Sequence, residues 1–242
     1  DDGCTTEGVG YWRYGFGNFV QMADIVYRRT DGQINLFELD SKINNIALFP
    51  LRAQLSPNKY PNFADCSTKV TFSPSLIHTL NDYYQVPELF SLLREEDYQS
   101  SSYRDLVYEK SHNDQFSQDK HVYFSGNQWL ISRVDEEDEM GLVLAIKGGN
   151  NAEDHNHNDC GNFIVHIGGE SLVAELGAAL YTKTNFSNKR YTILANRSLG
   201  HNLPLINGFE QKAGKEYQVG LLDHKTASEK DSIKFDLKSV YP

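Results

Sequence analysis

The feature that most limits the fold of this chain is a change of hydrophobic period partway along it. Up to about residue 110, apolar residues recur at every third or fourth position. From about residue 120 they come in short β-rich runs bounded by Gly, Asn and Asp. A helical stripe cannot serve as a strand face, nor the reverse, so the chain must join a helical part to a sheet part. Trp12, Phe16, Phe19 and Ala23 share one face of "GYWRYGFGNFVQMADIVYRR". Leu36, Leu39, Ile43 and Ile46 or Ala47 do the same in "NLFELDSKINNIALFPLRAQL", where Pro50, lacking an N–H, is expected to kink or end the helix. "SPSLIHTLNDYY" opens on a Ser-Pro helix start, and "VPELFSLLREEDY" on another early proline. Short polar turns between these segments predict antiparallel helix hairpins.

The later runs are "KHVYFSGNQWLISRV", "MGLVLAIKGG", "GNFIVHIGGESLVAELG", "KEYQVGLLD" and "DSIKFDLKSVY". "HIGGES" between two apolar runs reads as a hairpin turn. No helix pattern separates the strands, which predicts antiparallel sheets in place of βαβ units. The polar stretch 101–120 is the expected junction, dividing the chain into parts 1–115 and 116–242. No internal repeat stands out.

The 242 residues suffice for one large domain or two ordinary ones with a well-buried core. No apolar stretch approaches the roughly 18 residues of a membrane helix. The net charge of −10 argues against a general nucleic-acid binder. It also weakens passive capture of a heavily sulfated polymer, although a local basic groove is compatible with it. No basic, apolar leader opens the chain; "DDGCTTEGVGYW" reads as the interior of something longer, so a missing signal says little about compartment. Cys4, Cys66 and Cys160 are far apart and form no CxxC pair, which suggests buried thiols, with one disulfide plus a free thiol as the alternative.

The chemistry concentrates in "EDHNHNDCGNF", residues 153–163. If this stretch is extended, alternate side chains share a face, and His155, His157 and Asp159 point into one pocket. Asn156 and Asn158 then point away or bond the backbone. Two histidines at i and i+2 fit a metal or catalytic site, and zinc takes three or four N, S or carboxylate ligands. The next candidates are Glu175, an acid in the apolar run "LVAELGAALY", and His201 in "SLGHNLPLING". An unpaired buried acid costs several kcal/mol on the usual scale, and a cation beside Glu175 would offset that cost. The competing readings are that Glu175 faces solvent on an edge strand, and that "HNHND" is a tight turn without metal.

The order "HNHND.G.F......GE......E.G...Y", then "F...RY", then "HN.P.ING..Q" resembles the heparinase II/III-like polysaccharide lyases, which include heparin lyases of types II and III and alginate and oligoalginate lyases. The opening "DDGCTTEGVGYWRYG" is similar to the family's Asp-Gly … Glu-Gly … Tyr segment. The resemblance spans nearly the whole chain. It implies an α+β multidomain architecture: the C-terminal part of an incomplete (α/α) toroid over residues 1–115, then an antiparallel β-sandwich over 116–242. It implies zinc on His157, Glu175 and His201, the second of these being usually Asp in the family. His155 matches the active-site histidine that meets the substrate. Tyr11 matches the catalytic tyrosine, with Tyr14 one turn later as the alternative. Arg190 and Tyr191 match the "RY" pair near the substrate, Tyr191 as a second catalytic tyrosine. Glu7, Tyr14, Asn156, Arg190 and Asn202 are the expected substrate-binding groups. The family also uses an Asn or His from a helix preceding the Tyr segment; this sequence starts too late to show it, so either upstream sequence is missing or the site is incomplete.

The implied reaction is β-elimination at a uronic acid of an acidic polysaccharide. A base removes the C5 proton, the bond to the C4 oxygen breaks, and a 4,5-unsaturated sugar is left. Donors aimed at the uronate carboxylate lower the barrier by stabilising the developing enolate-like charge. A tyrosinate can take the proton and a phenol can protonate the leaving oxygen. With 14 tyrosines in the chain, only position in the motif singles out Tyr11 and Tyr191. Two other functions compete: an inactive carbohydrate-binding remnant of the same fold, and a metal-dependent hydrolase, which needs an open metal position and gives a saturated product. Enzymes of the resembling type are commonly periplasmic or secreted in bacteria.

Overall fold

The computed structural model describes residues 2–99, 103–110 and 118–242, so much of the expected junction at 101–120 lies outside the described residues. Among the described residues the first part holds three α-helices, α1 (Gly8–Arg29), α2 (Lys42–Ala53) and α3 (Pro74–Tyr84). In α1 the apolar stripe buries Val9, Trp12, Val20 and Ala23, and Arg28 and Arg29 face the negative end of the helix dipole. The Ser-Pro start of α3 is realised: the Ser73 side chain accepts from the Leu76 N–H, and Pro74 occupies the first turn. The fourth expected helix is instead two short 3-10 turns, Pro87–Leu92 and Glu95–Gln99.

Pro50 does not end its helix; α2 continues to Ala53 with the proline buried inside it. The reason lies on α1. A proline at 50 frees the carbonyl four residues back, that of Ile46. The Trp12 indole N–H donates to this carbonyl at 2.6 Å, so the missing backbone bond is replaced by a side-chain bond that also ties α1 to α2. The last carbonyls of α2 are taken by the buried Arg133, whose Nη2 donates to Arg52 O and Gln54 O at 3.0 and 2.6 Å.

The second part forms strands β1 (His121–Phe124), β2 (Trp129–Arg133), β3 (Val143–Lys147), β4 (Asn150–Asn151), β5 (Phe163–Ile167), β6 (Glu170–Val173), β7 (Gly214–Gln218), β8 (Gly220–Lys225) and β9 (Ser232–Asp236). Five of them make one antiparallel sheet in the order β1-β2-β3-β5-β6. The hairpin at Gly168 and Gly169 pairs Ile167 with Glu170, as "HIGGES" predicts. The remaining strands pair as two-stranded ribbons, β4 with β7 and β8 with β9, and no full second sheet forms among the described residues.

Helices and sheet close on a shared core. Phe49 of α2 meets Phe124 of β1 edge-on at 5.3 Å, and Phe63, from the segment between α2 and α3, meets Trp129 of β2 at 5.1 Å. All four rings are essentially inaccessible to solvent. The cysteines are free thiols, Cys66 and Cys160 buried and Cys4 half-buried.

Three local expectations change. His155 lies in a turn and residues 156–157 have no regular structure, so this stretch is not a strand. Glu175 lies beyond the end of β6, in a stretch without regular structure. His201 follows the short turn Ser198–Gly200 and starts no strand.

Candidate active site and metal centre

The loop between β4 and β5 carries the histidines and is anchored from below by a buried ion cluster. Lys147, at the end of β3, is wholly buried, with its Nζ 2.5 Å from Asp159 Oδ1 and 3.6 Å from Glu153 Oε2. Burial alone would lower the Lys147 pKa; the two carboxylates outweigh it and hold the group firmly charged. Burial would likewise raise Asp159, but Lys147 holds it below the usual carboxylate range. Glu153, farther from the ammonium, is pushed up by burial. Both ends of the loop are thus fixed to the sheet, and the Asn158 N–H adds a bond to Asn196 O at 3.0 Å.

Within this frame His155 adopts φ 54°, the left-handed region that a non-glycine residue occupies at a cost of roughly 1–2 kcal/mol. Such strain persists where the surroundings over-determine it, often at functional sites. The simple alternation expected for an extended "HNHND" is therefore broken. His155 and His157 nevertheless converge, and the group on which they converge is Asp65.

Asp65 sits between α2 and α3 with its carboxylate fully buried. Its Oδ2 lies 3.2 Å from His155 Nδ1, 3.0 Å from the Tyr181 hydroxyl and 2.9 Å from Arg190 Nη2; its Oδ1 lies 3.1 Å from His157 Nε2. Burial would raise the Asp65 pKa, but the bonds from His157 and Arg190 more than offset it and hold the carboxyl well below its ordinary value.

Tyr11, from the first turns of α1, packs against His155 with ring centroids 4.2 Å apart and planes tilted by 33°. Its hydroxyl is 2.6 Å from that of Tyr181. Glu7 Oε1 lies 3.4 Å from His155 Nε2. Burial pushes the Tyr181 hydroxyl far above the usual phenol range, reinforced by the Tyr11 hydrogen bond and the Asp65 charge. Arg190 also donates to Asn156 O at 2.9 Å, and the Tyr191 hydroxyl donates to Asn156 Oδ1 at 2.9 Å. Burial raises the Tyr191 pKa as well. The structure therefore brings Glu7, Tyr11, His155, Asn156, Arg190 and Tyr191 into one cluster.

Two expected substrate contacts lie elsewhere. Tyr14 is 73% exposed and takes no part in this network among the described residues. Asn202 spends its amide on the backbone, donating to Phe163 O and Ala174 O at 2.9 Å each.

His157, Glu175 and His201 offer ligand atoms that all lie within 4.8 Å of one another, and all three residues are buried. Glu175 does not face solvent: its carboxylate takes His201 Nδ1 at 2.8 and 2.9 Å, Asn162 Nδ2 at 2.5 Å and the Gly177 N–H at 3.1 Å. Gly177 has φ +67°, and a Cβ there would come within 2.6 Å of Asn62 Nδ2 and 2.8 Å of Cys66 O, so only glycine lets this loop lie against the segment that carries Asp65. His157 Nδ1 and His201 Nε2 are buried without a hydrogen-bond partner. Two unsatisfied imidazole nitrogens beside a buried carboxylate are a donor set that fits zinc.

Asp65 and Tyr181 escape sequence reasoning. Asp65 is 90 residues from His155 in sequence and belongs to no periodic pattern. Tyr181 is the last letter of the quoted "E.G...Y" string, but nothing in its spacing marks it out among so many tyrosines.

No family model matches the chain, and no curated protein matches it. Solved structures do. It is similar to the heparan sulfate lyase HepC from Pedobacter heparinus, with TM-score 0.70 and 12% identity over 98% of this chain and 35% of that one. It is also similar to a heparinase III, with TM-score 0.72 and 13% identity over 99% of this chain and 37% of that one. A further heparinase III structure gives TM-score 0.68 and 16% identity over 99% and 34%. The likeness is one of fold, and the chain spans about a third of the length of the structures it matches.

Proposed function

We propose that this chain carries a central part of a polysaccharide lyase that cleaves a uronic-acid-containing polysaccharide by β-elimination. The observation that carries the reading is the close approach of the Tyr11 and His155 rings, 4.2 Å between centroids, with the Tyr11 hydroxyl bonded to Tyr181 at 2.6 Å. It sets side by side a phenol that can take a proton and an imidazole that can meet the neighbouring carboxylate. The likeness in fold to heparan sulfate lyase and heparinase III supports the same class. In this reading residues 1–115 are the end of an (α/α) toroid and residues 116–242 belong to a β-sandwich completed by further chain.

Tyr11 takes the C5 proton on its phenol oxygen and passes its own proton along its 2.6 Å hydrogen bond to Tyr181. The electron pair forms the C4–C5 double bond, the C4–O bond breaks, and the leaving oxygen receives a proton from a tyrosine hydroxyl. Tyr181 suits a donor's role, because burial and Asp65 keep it protonated. His155, with Arg190 and Tyr191 on the neighbouring turn, meets the uronate carboxylate and stabilises the charge that builds there. His157, Glu175 and His201 would hold zinc, whose contribution is to brace the loop that carries His155. The acidic net charge favours a polymer of low sulfation, and the enzyme would work outside the cytoplasm.

The test is ultraviolet absorbance of unsaturated product from alginate, heparin, heparan sulfate, hyaluronan and chondroitin, using the full-length protein and its Tyr11→Phe variant. Absorbance that rises on one polymer and falls by about 100-fold or more in the variant supports the reading. A saturated product would favour a hydrolase. No cleavage of any polymer, with retained binding, would favour a carbohydrate-binding remnant.

A further inference from the structure

We propose that residues 182–190 form a further subsite for an acidic polysaccharide, in which the Phe186 ring carries one sugar and Lys183 and Lys189 meet that sugar's negative group. The proposal rests on the reading above for the class of ligand, and not on which bond is cut. Charge is unevenly placed along the chain. Residues 176–209 hold no Asp or Glu, so all 33 acids lie outside this stretch, while four of the 23 Lys and Arg lie in it. Two of these cations are engaged: Arg197 with Glu210, and Arg190 with Asp65. Lys183 and Lys189 are exposed and pair with no carboxylate among the described residues. On a chain of net charge −10, this acid-free surface beside the reacting cluster is where an anionic polymer meets attraction.

Phe186 stands between the two lysines in sequence and is 72% exposed. Its ring meets that of Tyr181 at 5.3 Å with planes at 73°, and Tyr181 in turn holds the Tyr11 hydroxyl. The turn under it is built and not loose. The Thr182 side chain accepts from the Thr184 N–H, and the buried Asn185 closes the capping box by accepting from the Thr182 N–H at 2.8 Å. Arg190 ties this turn to the cluster: Nη1 donates to Asn185 O at 3.3 Å, and Nη2 to Asp65 at 2.9 Å. A large apolar ring held in water forgoes the free energy of burial. Covering it with a ligand recovers that energy, and a ring already fixed in place loses little entropy on binding. The negative face of an aromatic ring suits the C–H bonds of a sugar, and cations beside it select a sugar that carries a carboxylate or sulfate.

The experiment is affinity electrophoresis of the full-length protein in native gels containing alginate, hyaluronan, heparan sulfate or neutral dextran. Wild type should be held back by at least one acidic polymer and not by dextran. Phe186→Ala should weaken that binding about 10-fold. Phe186→Leu, which keeps apolar bulk without an aromatic face, should weaken it as well, and Phe186→Trp should retain it. Lys183→Gln combined with Lys189→Gln should weaken it about 5-fold at low ionic strength, with the difference closing in high salt. All three side chains are exposed, so the thermal midpoints should stay near that of wild type. On a polymer that is cleaved, the loss should fall on KM more than on kcat. Alginate and hyaluronan carry carboxylates alone, so a lysine effect on them assigns the recognised group to a carboxylate; an effect confined to heparan sulfate assigns it to a sulfate. Wild type held back by no acidic polymer, or a folded Phe186→Ala or lysine double variant that binds like wild type, would overturn the proposal. Failure of the lyase reading has a different signature: binding that the variants lose, and no unsaturated product from any polymer.

Discussion

Replacing Lys147 by Met should be among the most damaging single changes in the molecule. Methionine keeps most of the apolar stem, so little packing is lost, and the change isolates the charge. With an effective dielectric of about 20, the 2.5 Å contact to Asp159 corresponds to about 7 kcal/mol of Coulomb attraction and the 3.6 Å contact to Glu153 to about 5 kcal/mol. Relief of the ammonium's own desolvation returns several kcal/mol of that sum. What is left is the cost of two buried carboxylates without a cation, about 3–5 kcal/mol. The assay is urea denaturation at neutral pH of wild type, Lys147→Met, and Lys147→Met combined with Asp159→Asn. The double variant should recover more than half of the loss, since removing both members of a buried pair costs far less than removing one. A single variant within about 1 kcal/mol of wild type, or a double variant as unstable as the single, would refute the reasoning.

Other expectations follow from the same geometry. His201→Ala removes a proposed ligand, so zinc affinity measured by calorimetry should fall by more than the roughly 10- to 100-fold typical of losing an outer partner. Gly177→Ala forces a side chain into a left-handed residue and against Asn62 and Cys66, and should cost about 2–3 kcal/mol in thermal or urea unfolding. His166 is buried between the hydroxyls of Ser56 and Ser171, and burial lowers its pKa below 6.5. A histidine depressed in the folded state contributes stability that is complete above its unfolded pKa and is lost as pH falls below that value toward the folded one. His166→Gln should therefore flatten the acid side of the stability–pH curve below about pH 6.5.

Much of the fold was legible where one local signal sufficed. Trp12 and Ala23 mark the buried face of α1, Ser73-Pro74 starts α3, and Gly168-Gly169 turns the β5–β6 hairpin. Pro50 does not end its helix because the carbonyl it frees is taken by Trp12, a residue 38 positions earlier that no local rule consults. The candidate site divides the same way. Glu175 was legible because an acid in an apolar run needs a partner, although the run proved to be a loop and not a strand. The His155 turn was not legible, since its left-handed backbone is imposed by tertiary contacts and not by its neighbours in sequence. Asp65 was the least visible: a lone aspartate in "PNFADCS" acquires meaning only when α2 and the β4–β5 loop are brought together.

The meeting of Phe49, Phe63, Phe124 and Trp129 has a consequence for how the molecule comes apart. Rings from both parts of the chain fill one interior, so neither part can be stripped away without opening the other to water. Unfolding should proceed as a single cooperative transition, with coincident tryptophan fluorescence and far-ultraviolet circular dichroism. Cleaving the polypeptide between the parts should leave two fragments that stay associated and lose their structure together.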